Sequence, residues 1–327
     1  MKVMHWNSFC ETDKQSGIKR YEDELYNHLK NKIDITRIQK TKRNVFLDKF
    51  KNGNADIVHA TFQNLAMLKI TKHPKRFIIT IHDLIPKLYF PLRLKIKYMW
   101  YLNEFVFPFI DEIIVDSEYT KKSLIDLLNI DQNKIHVIYL GKSPIYKEYD
   151  KNISKKYLGL PNDKKLILIV SSNEPWKNVE TMEKIIDDRS EYQFVKIGYE
   201  TTIKKDNVIN LGYVHENDMP YLYSACDVFV HTSAYEGFGF PVLEAMACGC
   251  PVVSSNATSL PEVIGNGGVL VNTMSVPEYC NAIDRLLSHE IEYNRIKNNG
   301  IKQASKFTWE RTAKLTLEVY HKCLNGY

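Results

Sequence analysis

The chain alternates short apolar, β-branched runs with helical patterns, does so twice, and breaks between the two rounds. Strands separated by helices imply parallel sheets with helices on both faces. In the first half the strand runs are Lys2–His5, Ile57–Ala60, Phe77–His82, Ile113–Asp116 and Ile135–Leu140. Each is apolar and bounded by polar or glycine positions, the pattern of a strand buried on both faces. Ile18, Tyr21, Leu25 and Leu29 fall at helical spacing after Gly17, and Ser117 is placed to cap a helix carrying Leu124, Leu127 and Leu128. The polar segment Gly141–Lys164 holds two prolines and reads as an interdomain connection. The pattern restarts with strand runs at Leu166–Ser171, Gln193–Ile197, Val208–Leu211, Val228–His231, Pro251–Ser254 and Val269–Val271. From Val276 the tail is mostly helical, its last helix starting at Phe307-Thr308-Trp309-Glu310. A length of 327 residues suits two domains. The expected fold class is α/β: two doubly wound parallel-sheet domains, residues 1–145 and 146–327, facing a cleft. The last helix is free to return to the first domain. Ligands collect at the C-terminal ends of such strands.

Bulk properties exclude several classes. A net charge of +5 is compatible with an anionic substrate, an anionic membrane surface or a plain soluble surface, and is too small to favour nucleic acid. The six cysteines are scattered, and none forms a C-x-x-C pair. Free, mostly buried thiols in a reducing compartment are expected, not a structural zinc. The N-terminus lacks the apolar core of a secretory signal. No run approaches the ~18 apolar residues that span a bilayer. The expected location is cytoplasmic or at the inner face of a membrane.

The stretch Tyr235–Val253, YEGFGFPVLEAMACGCPVV, carries the most chemistry. Glu236 and Glu244 stand in it with seven residues between them. Val228–His231 brings the chain to the carboxyl end of a strand, and Gly237 and Gly239 remove side chains where a ligand approaches backbone. Pro241 suits the first turn of a helix. The N–H groups of Phe238, Gly239 and Phe240 are then placed to cradle a diphosphate or sugar oxygens at a positive helix end. Glu244 lies one turn in, among apolar neighbours, so it needs donors; ribose hydroxyls would supply two. The bland alternative is a helix-dipole glutamate and a solvated loop glutamate. A second element, Glu174-Pro175-Trp176-Lys177-Asn178, follows a strand at the mouth of a helix. Lys177 there is suited to neutralise a leaving diphosphate, or is an ordinary surface lysine.

These residues resemble the retaining glycosyltransferases of family 4, which have the GT-B fold of two Rossmann-like domains. EGFGFPVLEAMACGCPVV is similar to that family's donor-site signature, and Ser259-Leu260-Pro261-Glu262-Val263 to its SLPE turn. Gly212 and Asp227 also sit where the family pattern expects them. The resemblance is strong over the last half of the chain and weaker over the first. It implies that Glu236 contacts the donor sugar and stabilises positive charge near its anomeric carbon. It implies that Glu244 binds ribose and that backbone at Phe238–Phe240 holds sugar hydroxyls and phosphate. Around Lys177 the family often carries an arginine; here Ser171 and Trp176 stand near those places.

In the first half, Gly17 in SGIKRY resembles the family's glycine loop facing the diphosphate. His82, in IITIHDLIP, resembles the histidine near the reacting sugar; the alternative is a strand-end histidine bonded to a carbonyl. His59, at the end of DIVHA, is a weaker cleft candidate, and the preferred reading is structural. No metal constellation is visible, and the family generally needs none, so Lys177 and helix N-termini would carry the diphosphate. No cofactor is expected beyond the donor substrate. Pro91–Phe109 mixes Arg93, Lys95 and Lys97 with Trp100 and apolar residues. It suits an anionic bilayer, but the preferred reading is a core-packed helix.

The resemblance implies a retaining, metal-independent hexosyltransferase of polysaccharide biosynthesis, in the mannosyltransferase-like branch. Its partners would be a nucleotide sugar donor, GDP-mannose first, and a glycan or lipid-linked glycan acceptor, with peripheral membrane contact possible. UDP-glucose and UDP-N-acetylglucosamine are the alternative donors. The rivals are a sugar-nucleotide epimerase and a non-catalytic nucleotide-sugar-binding subunit.

Overall fold

The computed structural model describes residues 1–7, 16–39, 55–72, 74–89, 94–198 and 202–326. The first sheet is built from β1 (Lys2–Asn7), β2 (Asp34–Gln39), β3 (Ile57–Ala60), β4 (Phe77–Ile81), β5 (Glu112–Val115) and β6 (Ile135–Val137). They lie side by side in the order β2-β1-β3-β4-β5-β6. The second sheet is built from β7 (Leu166–Val170), β8 (Gln193–Ile197), β9 (Val208–Gly212), β10 (Val228–His231), β11 (Val252–Ser255) and β12 (Gly268–Val271). Its order is β12-β11-β10-β7-β8-β9. Every neighbouring pair is parallel. Apolar side chains such as Ile79, Ile81 and Ile113 fill the first core, and Ile167, Phe194 and Val228 the second.

Order positions the site. In the second sheet β7 leads outward to β8 and β9, while β10 leads the other way to β11 and β12. The loops leaving β7 and β10 therefore diverge, and the carboxyl ends of that pair are the switch point at which ligands bind in doubly wound sheets. In the first sheet the same reversal falls between β1 and β3.

The contacts divide the chain into two units, Met1–Gly141 with Thr308–Tyr327, and Lys142–Phe307. The helix Trp309–Asn325 belongs to the first. Thr308 caps it by accepting from Arg311 N, and inside the unit Tyr320 Oη lies 2.7 Å from both His5 Nε2 and His59 Nδ1. His59 is thus the structural residue expected. Ser117 caps the helix Glu118–Leu128 as expected.

Two elements differ from the sequence reading. β2 alternates Asp34, Thr36, Arg37 and Gln39 with two isoleucines, and lies at the sheet edge, so it presents no apolar run. Part of the expected connection Gly141–Lys164 is a helix, Lys151–Tyr157, capped by Asp150 and belonging to the second unit. It exposes Ile153 and Tyr157 and buries Ser154 and Lys155, inverting the pattern that reveals a helix. β4 stops at Ile81, leaving His82 in the loop beyond. Cys226, Cys248, Cys250, Cys280 and Cys323 are free and buried; Cys10 lies outside the described residues.

Candidate active site

Two loops meet at the β7/β10 switch point. After β7 the chain passes through a single 3-10 turn, Pro175–Lys177, and enters the helix Val179–Asp188 through Asn178. After β10 it runs through Glu236 to the helix Phe240–Ala247. Ala234 N donates to Trp176 O at 2.7 Å, and Thr232 Oγ1 donates to Lys177 O at 3.0 Å. These bonds fasten one loop to the other and bring Lys177 Nζ to 2.7 Å from Glu236 Oε1.

Glu236 is held from three sides. His231, the last residue of β10, places Nε2 3.1 Å from the same Oε1. Oε2 has no hydrogen bond among the described residues. Burial alone would push the Glu236 carboxyl up, but the Lys177 charge and the His231 bond outweigh it and hold it well below the usual carboxylate range. The backbone is fixed as well. Thr258 Oγ1 accepts from Glu236 N and donates to Glu236 O, each at 3.0 Å. Ser259 Oγ donates to Glu236 O and Phe238 O, each at 3.0 Å. Thr258 takes left-handed backbone, φ 48°, unusual for a β-branched residue, and its two bonds to Glu236 hold it there.

Beyond Glu236, Gly239 adopts φ +105°, where a side chain is strained, and an added Cβ would come within 2.9 Å of Leu260 Cδ2. Pro241 lies in the first helical turn. Among the described residues the N–H groups of Phe238 and Gly239 donate to no carbonyl or side chain. Two donors at a positive helix tip suit an anionic or hydroxylic ligand. One turn on, Glu244 is 5% exposed and accepts from Tyr223 Oη at 3.1 Å. Burial, then the Glu244 charge, raises the Tyr223 pKa well above its ordinary value, so the phenol stays a donor.

The second unit carries Lys177 and Glu236 in contact, with Phe238, Gly239, Phe240 and Glu244 on the loop and helix that follow Glu236. Gly17 and His82 lie in the first unit. Gly17 is exposed and opens the helix Gly17–Leu29, capped by Ser16, which accepts from Lys19 N. The segment 8–15 before it lies outside the described residues. His82 follows β4 with both ring nitrogens engaged: Nδ1 is 2.5 Å from Asp116 Oδ2, and Nε2 is 3.0 Å from Thr61 O. Burial disfavours the imidazolium, but the Asp116 charge, the hydrogen bond to it and the Thr61 carbonyl outweigh burial and raise the His82 pKa. Nε2 faces a carbonyl and so carries a proton, while Nδ1 shares a proton with the Asp116 carboxyl, whose own pKa burial raises. Sequence reasoning missed His231, Thr258, Tyr223 and Asp116. Thr258, Tyr223 and Asp116 act on residues more than twenty positions away, and His231 on a loop that must first fold back to it, so no spacing marks them. Among the described residues no group of three or more His, Cys, Asp or Glu is placed to hold a metal ion.

This two-domain Rossmann-like architecture is the GT-B fold. Over all of both chains the structure is similar to a sucrose-phosphate synthase from Thermosynechococcus elongatus, with TM-score 0.83 and 17% identity. It is similar to Anabaena HepE in complex with UDP-glucose over 98% of this chain and 100% of that one, with TM-score 0.78 and 18% identity. Residues 150–303 match the family Glycosyl transferases group 1, and residues 22–142 match Glycosyltransferase Family 4. The chain is 31% identical over 230 residues to O-antigen chain mannosyltransferase B of Escherichia coli, covering 64% of this chain and 60% of that protein. It is 27% identical over 287 residues to the serotype-specific mannosyltransferase WbdA of Escherichia coli, covering 77% of this chain and 34% of that protein. The match therefore spans 60% of the first relative's length and about a third of the second's. Between them the two models cover most of the chain, which belongs to the glycosyltransferases they describe.

Proposed function

We propose that the protein is a retaining hexosyltransferase that moves mannose from GDP-mannose to a hydroxyl of a glycan or lipid-linked glycan, without a metal ion or other cofactor. The observation that carries this reading is the meeting of Lys177 and Glu236 at the β7/β10 switch point. A cation and an acceptor-only carboxylate held side by side match a ligand that is anionic at one end and hydroxylic at the other. The diphosphate takes Lys177 and the Phe238–Phe240 backbone. The sugar hydroxyls take Glu236, and ribose takes Glu244. As the glycosidic bond lengthens, Lys177 and the helix tip stabilise the leaving diphosphate, and Glu236 stabilises the sugar cation. The departing phosphate oxygen accepts the proton of the incoming hydroxyl. Mannose rests on the mannosyltransferase relatives; UDP-glucose and UDP-N-acetylglucosamine are the other donors.

The test is to incubate the protein with GDP-mannose, UDP-glucose and UDP-N-acetylglucosamine, with and without a chelator, and follow nucleotide release. GDP released from GDP-mannose, undiminished by chelator, is the expected result. Release from a UDP sugar alone moves the donor. Binding without release points to a non-catalytic subunit, and conversion of the donor into its epimer points to an epimerase. The anomeric configuration of the product, read by NMR, tests retention.

A cytoplasmic protein at the inner membrane face fits this role. No described helix is long and apolar enough to cross a membrane. The helix Leu94–Val106 buries Trp100 and Val106, and Tyr98, Tyr101, Phe105 and Phe109 form an exposed aromatic stripe along it and the turn that follows. Residues Pro91–Arg93 lie outside the described residues. In this reading the stripe rests on lipid. Co-sedimentation with anionic vesicles, weakened in a Phe105→Ser/Phe109→Ser variant, is the expected outcome; equal sedimentation of parent and variant counts against it.

A further inference from the structure

Lys196 occupies an unusual place for a lysine. It lies in β8 and is 1% exposed. Its Cα pairs with Ile169 of β7, and Phe194, two residues earlier on the same face, packs in the apolar core with Ile169. Among the described residues its ammonium donates to one group only, the Ser171 carbonyl at 2.8 Å. Ser171 is the first residue beyond β7 and opens the loop that ends on Lys177. That carbonyl is fixed from a second direction. Ser171 N donates to Ile197 O at 3.1 Å, and Gly198, at φ +118°, leaves open the space where a Cβ would meet Ser171 O at 2.0 Å. The ammonium therefore lies directly beneath the loop at the carboxyl end of the sheet.

An ammonium buried against a single neutral acceptor destabilises the protein that carries it, and burial lowers its pKa accordingly. Apolar side chains of the same length would fill β8 at less cost. An anion arriving over the loop reverses that balance, because a charge in a low-dielectric interior acts over longer distances than one in water. The ammonium also draws electron density from the Ser171 carbonyl, which would otherwise face an incoming phosphate as a bare acceptor.

We infer that Lys196 is a second cation of the donor site, acting on the diphosphate from beneath the loop that presents Lys177. The inference rests on the proposed reading that a nucleotide diphosphate binds at the carboxyl ends of β7 and β10. Lys196 is a positioning and electrostatic residue in it, since the ammonium is covered by its own loop.

The test uses the full chain, with Lys196→Met and Lys196→Gln beside the parent. Calorimetry measures affinity for guanosine, GMP and GDP, with the uridine series alongside, and thermal melts are recorded without ligand. The expected result is a loss that grows with phosphate charge: none for the nucleoside, roughly tenfold or more for the diphosphate, and intermediate for the monophosphate. The unliganded Met variant should melt at or above the parent's temperature. Equal losses across nucleoside, monophosphate and diphosphate, together with a lower melting temperature, would make Lys196 a structural clip and overturn the inference. Unchanged diphosphate affinity in both variants would also overturn it. A parent that binds no diphosphate in either series would sink the underlying reading instead.

Discussion

Glu236 receives two donors on one oxygen and, among the described residues, none on the other, which decides how its substitutions act. Glu236→Gln keeps the shape and removes the charge. Lys177 then loses its local counter-ion, so GDP affinity should hold or improve while turnover falls by on the order of a hundredfold. Steady-state rates beside calorimetric GDP titrations check this; turnover equal to the parent's would remove Glu236 from the mechanism. Glu244 behaves differently. Glu244→Ala leaves the buried Tyr223 hydroxyl without its acceptor, at about 1–3 kcal/mol. Glu244→Gln retains an acceptor for that hydroxyl. Nucleotide affinity should fall in both variants, whereas the melting temperature should fall mainly in the alanine variant. Unchanged affinity in both would end the ribose assignment. The glutamate pair is legible in the sequence because its glycines and proline dictate a strand, a loop and a helix in turn. His231 is not, because a histidine ending a strand shows no sign of which loop will fold back over it.

At the scale of elements, the helix Phe240–Ala247 and its entry turn form one device. Gly239 supplies left-handed backbone, and the Thr258–Ser259 turn clamps the loop it ends. Gly239→Ala adds strain of roughly 1–2 kcal/mol and presses on Leu260. The melting temperature should drop, and nucleotide affinity should drop with it, because the displaced N–H groups belong to the binding turn. A variant that loses stability and binds nucleotide as tightly as the parent would separate the turn from the site. The parallel strands of both sheets were readable because burial on both faces requires continuous apolar runs. β2 and the helix Lys151–Tyr157 were not. The first is an edge strand with alternating polar positions, and the second buries its serine and lysine. The β7/β10 switch point was equally invisible, since strand order is set by crossovers and not by the composition of any single strand.

For the chain as a whole, the return of Thr308–Tyr327 to the first unit depends on a polar chain inside an apolar core. Among the described residues His5 Nδ1 is buried without a partner, which assigns its proton to Nε2 and makes Tyr320 Oη the acceptor. Tyr320 then donates to His59 Nδ1, and His59 Nε2 donates to Thr80 Oγ1 at 2.8 Å. Every proton has one place, and both imidazoles are neutral. Burial, with the Arg37 charge, lowers the His5 pKa from 6.5 to about 3, and burial, with the charges of His5 and His82, lowers that of His59 well below 6.5. A depressed folded pKa contributes stability above the unfolded value and loses it as pH falls. The first unit should therefore weaken below pH 6.5, by up to about 1.4 kcal/mol per pH unit for each histidine. His82, raised by Asp116, works in the opposite direction: its contribution is complete below pH 6.5 and fades as pH rises through its folded pKa. Below pH 6.5 the His82 contribution is already complete, so the two losses set a net fall there, which the Asp116 carboxyl, raised by burial, opposes as acid increases. His59→Gln keeps hydrogen-bonding groups but cannot titrate. Its urea midpoint should decline less steeply with acid than the parent's, by the slope of one proton. Parallel declines in parent and variant would show that His59 takes up its proton as readily folded as unfolded, and that the buried chain does not hold it neutral.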